Sequence, residues 1–525
     1  MLFNSYLFLF AFLPIALIGY YFIGKYSNKK WTIIWLILIS LVFYGWYNPA
    51  YLFFLIGSII VNYSLGIIIA NKTNISTRKT LVTIGIIINI LSLGYFKYTN
   101  FFIDNINTIL KTDLVLNTII LPLAISFFTI QQIGYLVDVY RKETTKYNFL
   151  EYCLFVVFFP KLISGPIARF KEIIPQLQSK EFPRLDRNNF SVGITVFFLG
   201  LFKKVILADY IAGLANPVFT AASQGAVVHF FDAWTGAFAY AFQIYFDFSA
   251  YSDMAIGLGL LFGIRLPLNF FSPYKATNPS DFWRRWHITL SRFIRDYLYI
   301  PLGGNRKGFS RQMISLLVAM TIAGIWHGAG WTFVIWGLLH GIYLVFYHSW
   351  KRLRKSLGMP PGKPNWWKTS ISVAFTFLAV TIAWVFFRSN NIATALGVFK
   401  GMFGFNKIVL PLNFASRLDA IIPGISHILS IVGIHFVANA SALVFKPSAL
   451  AFLFICFVIC WFLPNVQQFT INFRPSLDIF EENHKIFTDK IRWKPSVIYS
   501  IIVALIMVIA ILGVAKVSQF IYFRF

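Results

Sequence analysis

Charge is scarce in this chain. Only 12% of its 525 residues are Asp, Glu, Lys or Arg, while 58% are hydrophobic. That is about half the charged share of a soluble domain. A water-exposed globule of this size needs much more charged surface, so a soluble enzyme and a disordered hub are excluded. Acidic residues are the scarcest: 19 stand against 46 Lys and Arg, a net charge of +27. In a soluble protein that excess points to nucleic acid. In so apolar a chain it points first to cytoplasmic loops that obey the positive-inside rule, and no nucleic-acid partner is needed. Cysteine is nearly absent. Cys153, Cys456 and Cys460 cannot build a disulfide framework. Cys456 and Cys460 sit one helical turn apart in an apolar run, with no His or acidic neighbour. They read as packing residues, and no metal site is expected.

What the chain does have is apolar length. A bilayer core takes about 20 apolar residues per helix. Such runs lie near 2–24, 31–47, 50–70, 80–98, 117–140, 149–165, 190–212, 232–264, 312–330, 332–350, 369–387, 421–443, 447–464 and 496–517. They predict an all-α polytopic membrane protein with roughly 11–13 transmembrane helices plus re-entrant and interfacial pieces. The first run has no basic n-region and no small-residue cleavage pattern, so it reads as a retained helix. Lys25, Lys29 and Lys30, then Lys72, Arg78 and Lys79, then Arg141, Lys142 and Lys146 follow alternate spans. That alternation puts these loops in the cytoplasm and the N-terminus outside. Parity would then put the basic 161–189 stretch outside. A re-entrant 149–165 segment removes the conflict. Re-entrant backbone is stable only when it is covered by protein or lines a cavity, so a central chamber is expected. No repeat of 20–50 residues is visible. Residues 1–525 read as one membrane domain with core motifs over 149–350, an outward loop near 389–420, a polar loop at 465–495 and a tail at 518–525.

The central block carries the chemistry. Gln243 opens a run that holds Asp247, Tyr251 and Asp253. Carboxylates in apolar helices face a cavity or pair with a cation. A chamber lining and an ion pair with Lys203, Lys204 or Arg265 weigh equally. Gly257, Gly259 and Gly263 have the wrong spacing for a dinucleotide loop and suit close helix packing. Residues 265–311 contain nine Lys and Arg and two Asp. Here Asn278-Pro-Ser280-Asp281 reads as a helix start, capped near Ser280 or Asp281. Asp281-Phe-Trp-Arg284-Arg285-Trp286-His287 follows, at a cytoplasmic interface. It serves either as a lipid-headgroup anchor or as a docking surface for an anionic donor, since arginine matches phosphate bidentately. The donor surface is assigned to Arg284, Arg285, Trp286, Asn305 and Trp326. The chamber is assigned to Asp247, Tyr251, Asp253 and Trp331. His327 lies in an apolar span among tryptophan and glycines, with His287 only 40 residues upstream. A neutral imidazole there can take and return a proton. His340 is the weaker candidate, with a polar end free to snorkel.

The pattern of Asp281 to His287, then Trp326-His327-Gly-Ala-Gly-Trp331-Thr and Trp336-Gly-Leu-Leu-His340-Gly341, resembles the membrane-bound O-acyltransferase superfamily. The resemblance is to its bacterial branch that O-acetylates exported polysaccharides, the alginate and peptidoglycan type. It extends to Phe158-Phe-Pro-Lys161-Leu-Ile-Ser-Gly165-Pro166-Ile-Ala-Arg169-Phe and to Leu463-Pro-Asn465-Val-Gln467-Gln468. It implies His327 as catalytic histidine and His287 as its upstream partner. It also implies acetyl-CoA as donor substrate with no bound cofactor, a bacterial cytoplasmic membrane, and a separate extracytoplasmic SGNH-type acetyltransferase that completes transfer to polysaccharide. The last residues, Phe520-Ile-Tyr522-Phe-Arg524-Phe, read as an interfacial aromatic anchor. They also resemble the terminal motif of the small partner protein in teichoic acid D-alanylation, where a tyrosine is proposed to carry the acyl group. By that resemblance Tyr522 is a candidate acyl carrier, and Arg524 steadies the phenolate or the tail. A polysaccharide or lipid-linked sugar transporter is the competing reading. Missing repeats and the histidine-centred motif weigh against it. A polytopic glycosyltransferase would place acidic residues in an outward loop, and the dense motif here is basic.

Overall fold

The computed structural model describes residues 1–115, 119, 121–144, 146–359, 365–437, 443–478, 491–514 and 520–521. Helices dominate them. After a π-helical start at Phe8–Phe12 come α1 (Leu13–Tyr26), α2 (Lys29–Gly45), α3 (Ala50–Asn71) and α4 (Ile75–Leu93). A π-helical turn, Gly94–Tyr98, joins α4 to α5 (Thr99–Leu110). Next are α6 (Ile125–Tyr140), α7 (Phe149–Val157), α8 (Phe159–Leu162) and α9 (Phe170–Gln178). Then α10 (Arg187–Phe202) passes through a second π-helical turn, Lys203–Ala208, into α11 (Asp209–Ser223) and is followed by α12 (Phe230–Leu261). The motif region holds α13 (Pro279–Arg285), α14 (Ile288–Ile294) with a π-helical end at Arg295–Tyr299, α15 (Phe309–His327) and α16 (Trp331–Ser356). Beyond them lie α17 (Trp366–Arg388), α18 (Ile392–Met402), β1 (Ile408–Pro411), α19 (Leu412–Ile421), α20 (Ile425–Ile431), β2 (Ile434–Val437), α21 (Pro447–Phe462), α22 (Val466–Phe469) and α23 (Val497–Gly513). The two strands pair in parallel, Ile408 against Ile434.

This is an all-α, multi-pass membrane protein. Seven stretches among the described residues are long and apolar enough to cross a bilayer: Phe8–Tyr26, Ala50–Asn71, Ile75–Leu110, Arg187–Ser223, Phe309–His327, Trp331–Ser356 and Trp366–Arg388. Three shorter apolar helices, α18, α21 and α23, accompany them. The apolar run at 421–443 departs from expectation. It holds the seven-residue α20 and the four-residue β2, with Ile431 and Val432 exposed, instead of a span. The outward loop expected near 389–420 is itself folded into α18, β1 and α19. Segment 149–165 breaks at Phe158 into α7 and α8, and α8 is wholly buried. Nine residues of α7 rise only about 13 Å, too little to cross a bilayer core.

Local chemistry sets the boundaries. Asn28, Asn74 and Asp186 cap α2, α4 and α10 with side-chain oxygens that accept from backbone N–H groups. Asn148 and Glu151 form a reciprocal capping box on α7. At α13 the cap is Asn278, whose side chain accepts from Asp281 N, with Pro279 in the first turn. The start expected at Ser280 or Asp281 therefore shifts upstream, because proline is pre-organised for the first helical position. The glycines close the bundle. A Cβ on Gly257 would lie 2.7 Å from Gly193 O and from Phe197 N, which brings α12 backbone to backbone with α10. Gly324 and Gly337 do the same for α15 and α16, where a Cβ on Gly324 would be 2.2 Å from Phe333 O.

Candidate active site

His287 sits at the break between α13 and α14, in the left-handed region at φ 42°. A non-glycine residue held there is strained and needs surrounding structure to fix it. Asn269 provides that structure. Its Oδ1 accepts from His287 Nδ1 at 2.9 Å and from Thr289 Oγ1 at 2.9 Å, and its carbonyl accepts from Ile288 N. An amide oxygen only accepts, so the His287 proton is on Nδ1 and the lone pair is on Nε2. His287 is 0% exposed, and burial pushes its pKa down to about 3, so it is neutral at ordinary pH. Phe248 of α12 meets its ring edge-on at 4.8 Å.

His327 is the last residue of α15 and is 2% exposed. Its ring lies 6.4 Å from that of His287, centroid to centroid. Trp336 and Phe387 meet it edge-on at 5.0 and 5.3 Å. A helix end inside a bundle leaves carbonyls without donors. Here Lys97 Nζ donates to Trp326 O at 2.7 Å and to His327 O at 3.0 Å, and Tyr98 Oη donates to Ile325 O at 2.6 Å. Lys97 also donates to Ser126 Oγ, and Ser126 O accepts from the Trp326 indole. A cation at a helix C-terminus also complements the helix dipole. A cavity of about 110 Å³ lies beside Ser126, bounded by Tyr47, Ile163 and Ser164 among others.

The stretch 158–169 and the 463–468 motif both close on this centre. Ile167 N donates to Thr289 Oγ1, and Arg169 pairs with Asp296 at 2.5 Å. Asn465 Nδ2 donates to Ser272 Oγ, and Gln467 Nε2 to Asp253 Oδ1. Asp253 pairs with Lys203 at 2.6 Å, and Asp247 with Lys204 at 2.6 Å. The ion-pair reading of these carboxylates therefore holds, and Arg265 is engaged elsewhere, with Asn189 and Arg474.

The sequence profile of the membrane-bound O-acyltransferase family matches residues 136–388. A peptidoglycan O-acetyltransferase of Helicobacter pylori is 44% identical over 436 residues, which cover 78% of this chain and 81% of that protein. A Pseudomonas aeruginosa protein named "Probable alginate O-acetylase AlgI" is 40% identical over 416 residues, 77% of this chain and 75% of the relative. A teichoic acid D-alanyltransferase of Streptococcus thermophilus is 29% identical over 283 residues, 50% of this chain and 68% of the relative.

This chain belongs to the membrane-bound O-acyltransferase family. In this O-acyltransferase the structure gathers His287, His327 and Trp326, the last with its ring 4.9 Å from that of His327. Trp326 thus stands beside the histidine pair. Trp286 is sealed between Phe282 and Trp384 and packs in the core rather than on a surface. Arg284 and Asn305 are exposed, and Arg285 pairs with Asp281 at 3.0 Å. Trp331 is 54% exposed, with its indole donating to Asn105, and does not line an enclosed chamber. Tyr251 is buried against Phe3 and Phe520. His340 does not snorkel. It is buried among Phe282, Trp283 and Trp336, and both ring nitrogens lack a hydrogen-bond partner among the described residues. Tyr522 and Arg524 lie outside the described residues. Lys97, Asn269 and Ser126 escaped sequence reasoning. The one available signal was a lysine at the end of an apolar run.

Proposed function

We propose that this O-acyltransferase takes acetyl from acetyl-CoA on the cytoplasmic side of a bacterial cytoplasmic membrane. It passes the group outward for O-acetylation of an exported or cell-wall polysaccharide. His327 and His287 are the catalytic pair, and Tyr522 is the acyl carrier. The observation that carries the reading is the pair of buried histidines, 6.4 Å apart, one of them with its lone pair fixed on Nε2 by Asn269. The names of the relatives, O-acetyltransferases for peptidoglycan and alginate, support the acetyl group and the class of acceptor.

The chemistry balances simply. A phenol is a weak nucleophile until a base removes its proton. The imidazole of His327 takes that proton as the Tyr522 oxygen attacks the thioester carbonyl. The C–S bond breaks, coenzyme A leaves as thiolate, and the protonated imidazole returns a proton to it. The aryl ester so formed has a good leaving group and transfers acetyl to an alcohol without further energy input. An SGNH-type partner outside the membrane completes that transfer. Basic residues around 265–311 attract the anionic donor.

Purified protein given acetyl-labelled coenzyme A tests the reading. Label is expected on the protein, with free coenzyme A released, and Y522F should lose the label. A transporter would show neither. Full polysaccharide acetylation in cells that carry Y522F would remove the carrier role.

A further inference from the structure

Phe520 and Ile521 lie against the middle of α12. The Ile521 backbone N–H donates to Asp247 Oδ2 at 2.8 Å. The other oxygen of that carboxylate accepts from Lys204 Nζ at 2.6 Å, and Lys204 also donates to Asp209 Oδ1 at 2.9 Å. The same ammonium lies 4.7 Å from the centroid of the Phe520 ring. Tyr251, one turn along α12 from Asp247, meets Phe520 edge-on at 4.7 Å. Phe520 is 1% exposed.

An ion pair alone would need only Lys204 and Asp247. Here the second carboxylate oxygen is used by a main-chain donor 274 residues away in sequence. A backbone N–H in an apolar interior must be paired, and an ionised carboxylate is a strong acceptor for it. The aromatic ring beside it gains a cation–π contact and an edge-on aromatic neighbour. The arrangement therefore reads a main-chain group at position 521 and an aromatic side chain at 520.

Helix geometry ties this place to the histidines. Positions 247 and 251 share one face of α12 by their spacing of four, and 248 and 252 share the adjacent face. Phe248 packs on His287, and Ser252 Oγ accepts from Asn269, which fixes His287. We propose that Lys204, Asp247 and Tyr251 form a binding seat for the Phe520-Ile521 segment. The position of Phe520 and Ile521 is then set by α12, the helix that also backs His287. These three are positioning residues: they act through the tail. The catalytic consequence rests on the carrier role proposed for Tyr522, the next residue in the chain. The seat itself does not.

The experiment uses full-length protein in lipid nanodiscs, with the three native cysteines left in place because all are buried. I521C is labelled with a maleimide, and S223C on an exposed helix end serves as reference. The I521C thiol should react at least tenfold more slowly than the S223C thiol. Adding the charge-neutral pair Lys204→Met and Asp247→Leu should raise its rate at least tenfold. F520A, which leaves the ion pair intact, should raise it too and guards against misfolding of the double variant. In an otherwise wild-type chain, F520A should lower acetyl transfer through kcat, with KM for acetyl-CoA unchanged. Equal rates for I521C and S223C, or a rate that neither change alters, would overturn the seat. Y522F separates the two ideas: full transfer with slow I521C labelling removes the carrier and keeps the seat.

Discussion

The α3 span and the span formed by α10 and α11 look alike as apolar runs, yet they differ in the folded protein. In the most apolar 18 residues of the Ala50–Asn71 span 28% are buried, and no residue of the span is charged. In the most apolar 18 residues of Arg187–Ser223 61% are buried, and the middle of that stretch holds Lys203 and Lys204, each paired to a carboxylate of α12. Peripheral helices meet lipid and need only be apolar. Central helices meet each other, and there Lys203 and Lys204 survive because each has a carboxylate partner. The site stands on the second kind of helix.

The largest break in that contrast should come from His327→Ala. Loss of a proton-transferring group typically costs about 10²–10⁴-fold. Release of free coenzyme A should fall by that order while the protein stays monodisperse, and activity within threefold of wild type would remove His327 from the chemistry. Lys97→Met should come next. It strips the donor from two carbonyls at the end of α15, and small misplacements of a catalytic group can cost about 100-fold. Turnover should drop accordingly, and Lys97→Arg should recover part of it. Lys203→Met leaves Asp253 charged and without its cation, at about 3–5 kcal/mol, whereas Lys203→Met with Asp253→Leu should restore most of the loss in thermal unfolding. A single variant as stable as the double would show that the pair carries no such weight.

The pH effect is smaller. The folded protein keeps His287 neutral down to about 3, while the unfolded chain binds a proton near 6.5. Stability attributable to this group is complete above about 6.5 and declines as pH falls toward 3. His287→Gln should flatten that decline in melting temperature, and an unchanged slope would exclude the contribution. At the far end, Phe53→Ala on α3 removes a ring that is 82% exposed. It should shift stability by no more than about 0.5 kcal/mol and leave turnover alone.

Much of the fold was legible because hydropathy needs no partner to be read. The helices, an interruption within 149–165 and the glycine contacts follow from local pattern, and the cost of buried charge made an ion pair one of two readings for Asp247 and Asp253. What could not be read depends on contact between distant residues. Lys97 reaches a helix end 230 residues away, and Asn269 fixes a histidine across a loop. Trp286 and Trp331 stand in two similar aromatic motifs but face opposite environments, one buried and one exposed. The 421–443 run misled because apolarity alone does not separate a span from an exposed helix and strand.

The π-helical turns carry a last consequence. Gly94–Tyr98 brings Lys97 to the end of α15, Lys203–Ala208 opens with the two paired lysines, and Arg295–Tyr299 contains Asp296. Such a turn holds one residue more than an α-helical hydrogen bond would allow. One extra residue advances the phase of the helix by roughly 100°. A single rod can thus turn one side to lipid over half its length and another side to the site over the rest. Lys97, Lys203 and Lys204 all stand in such turns, where the change of phase brings them inward.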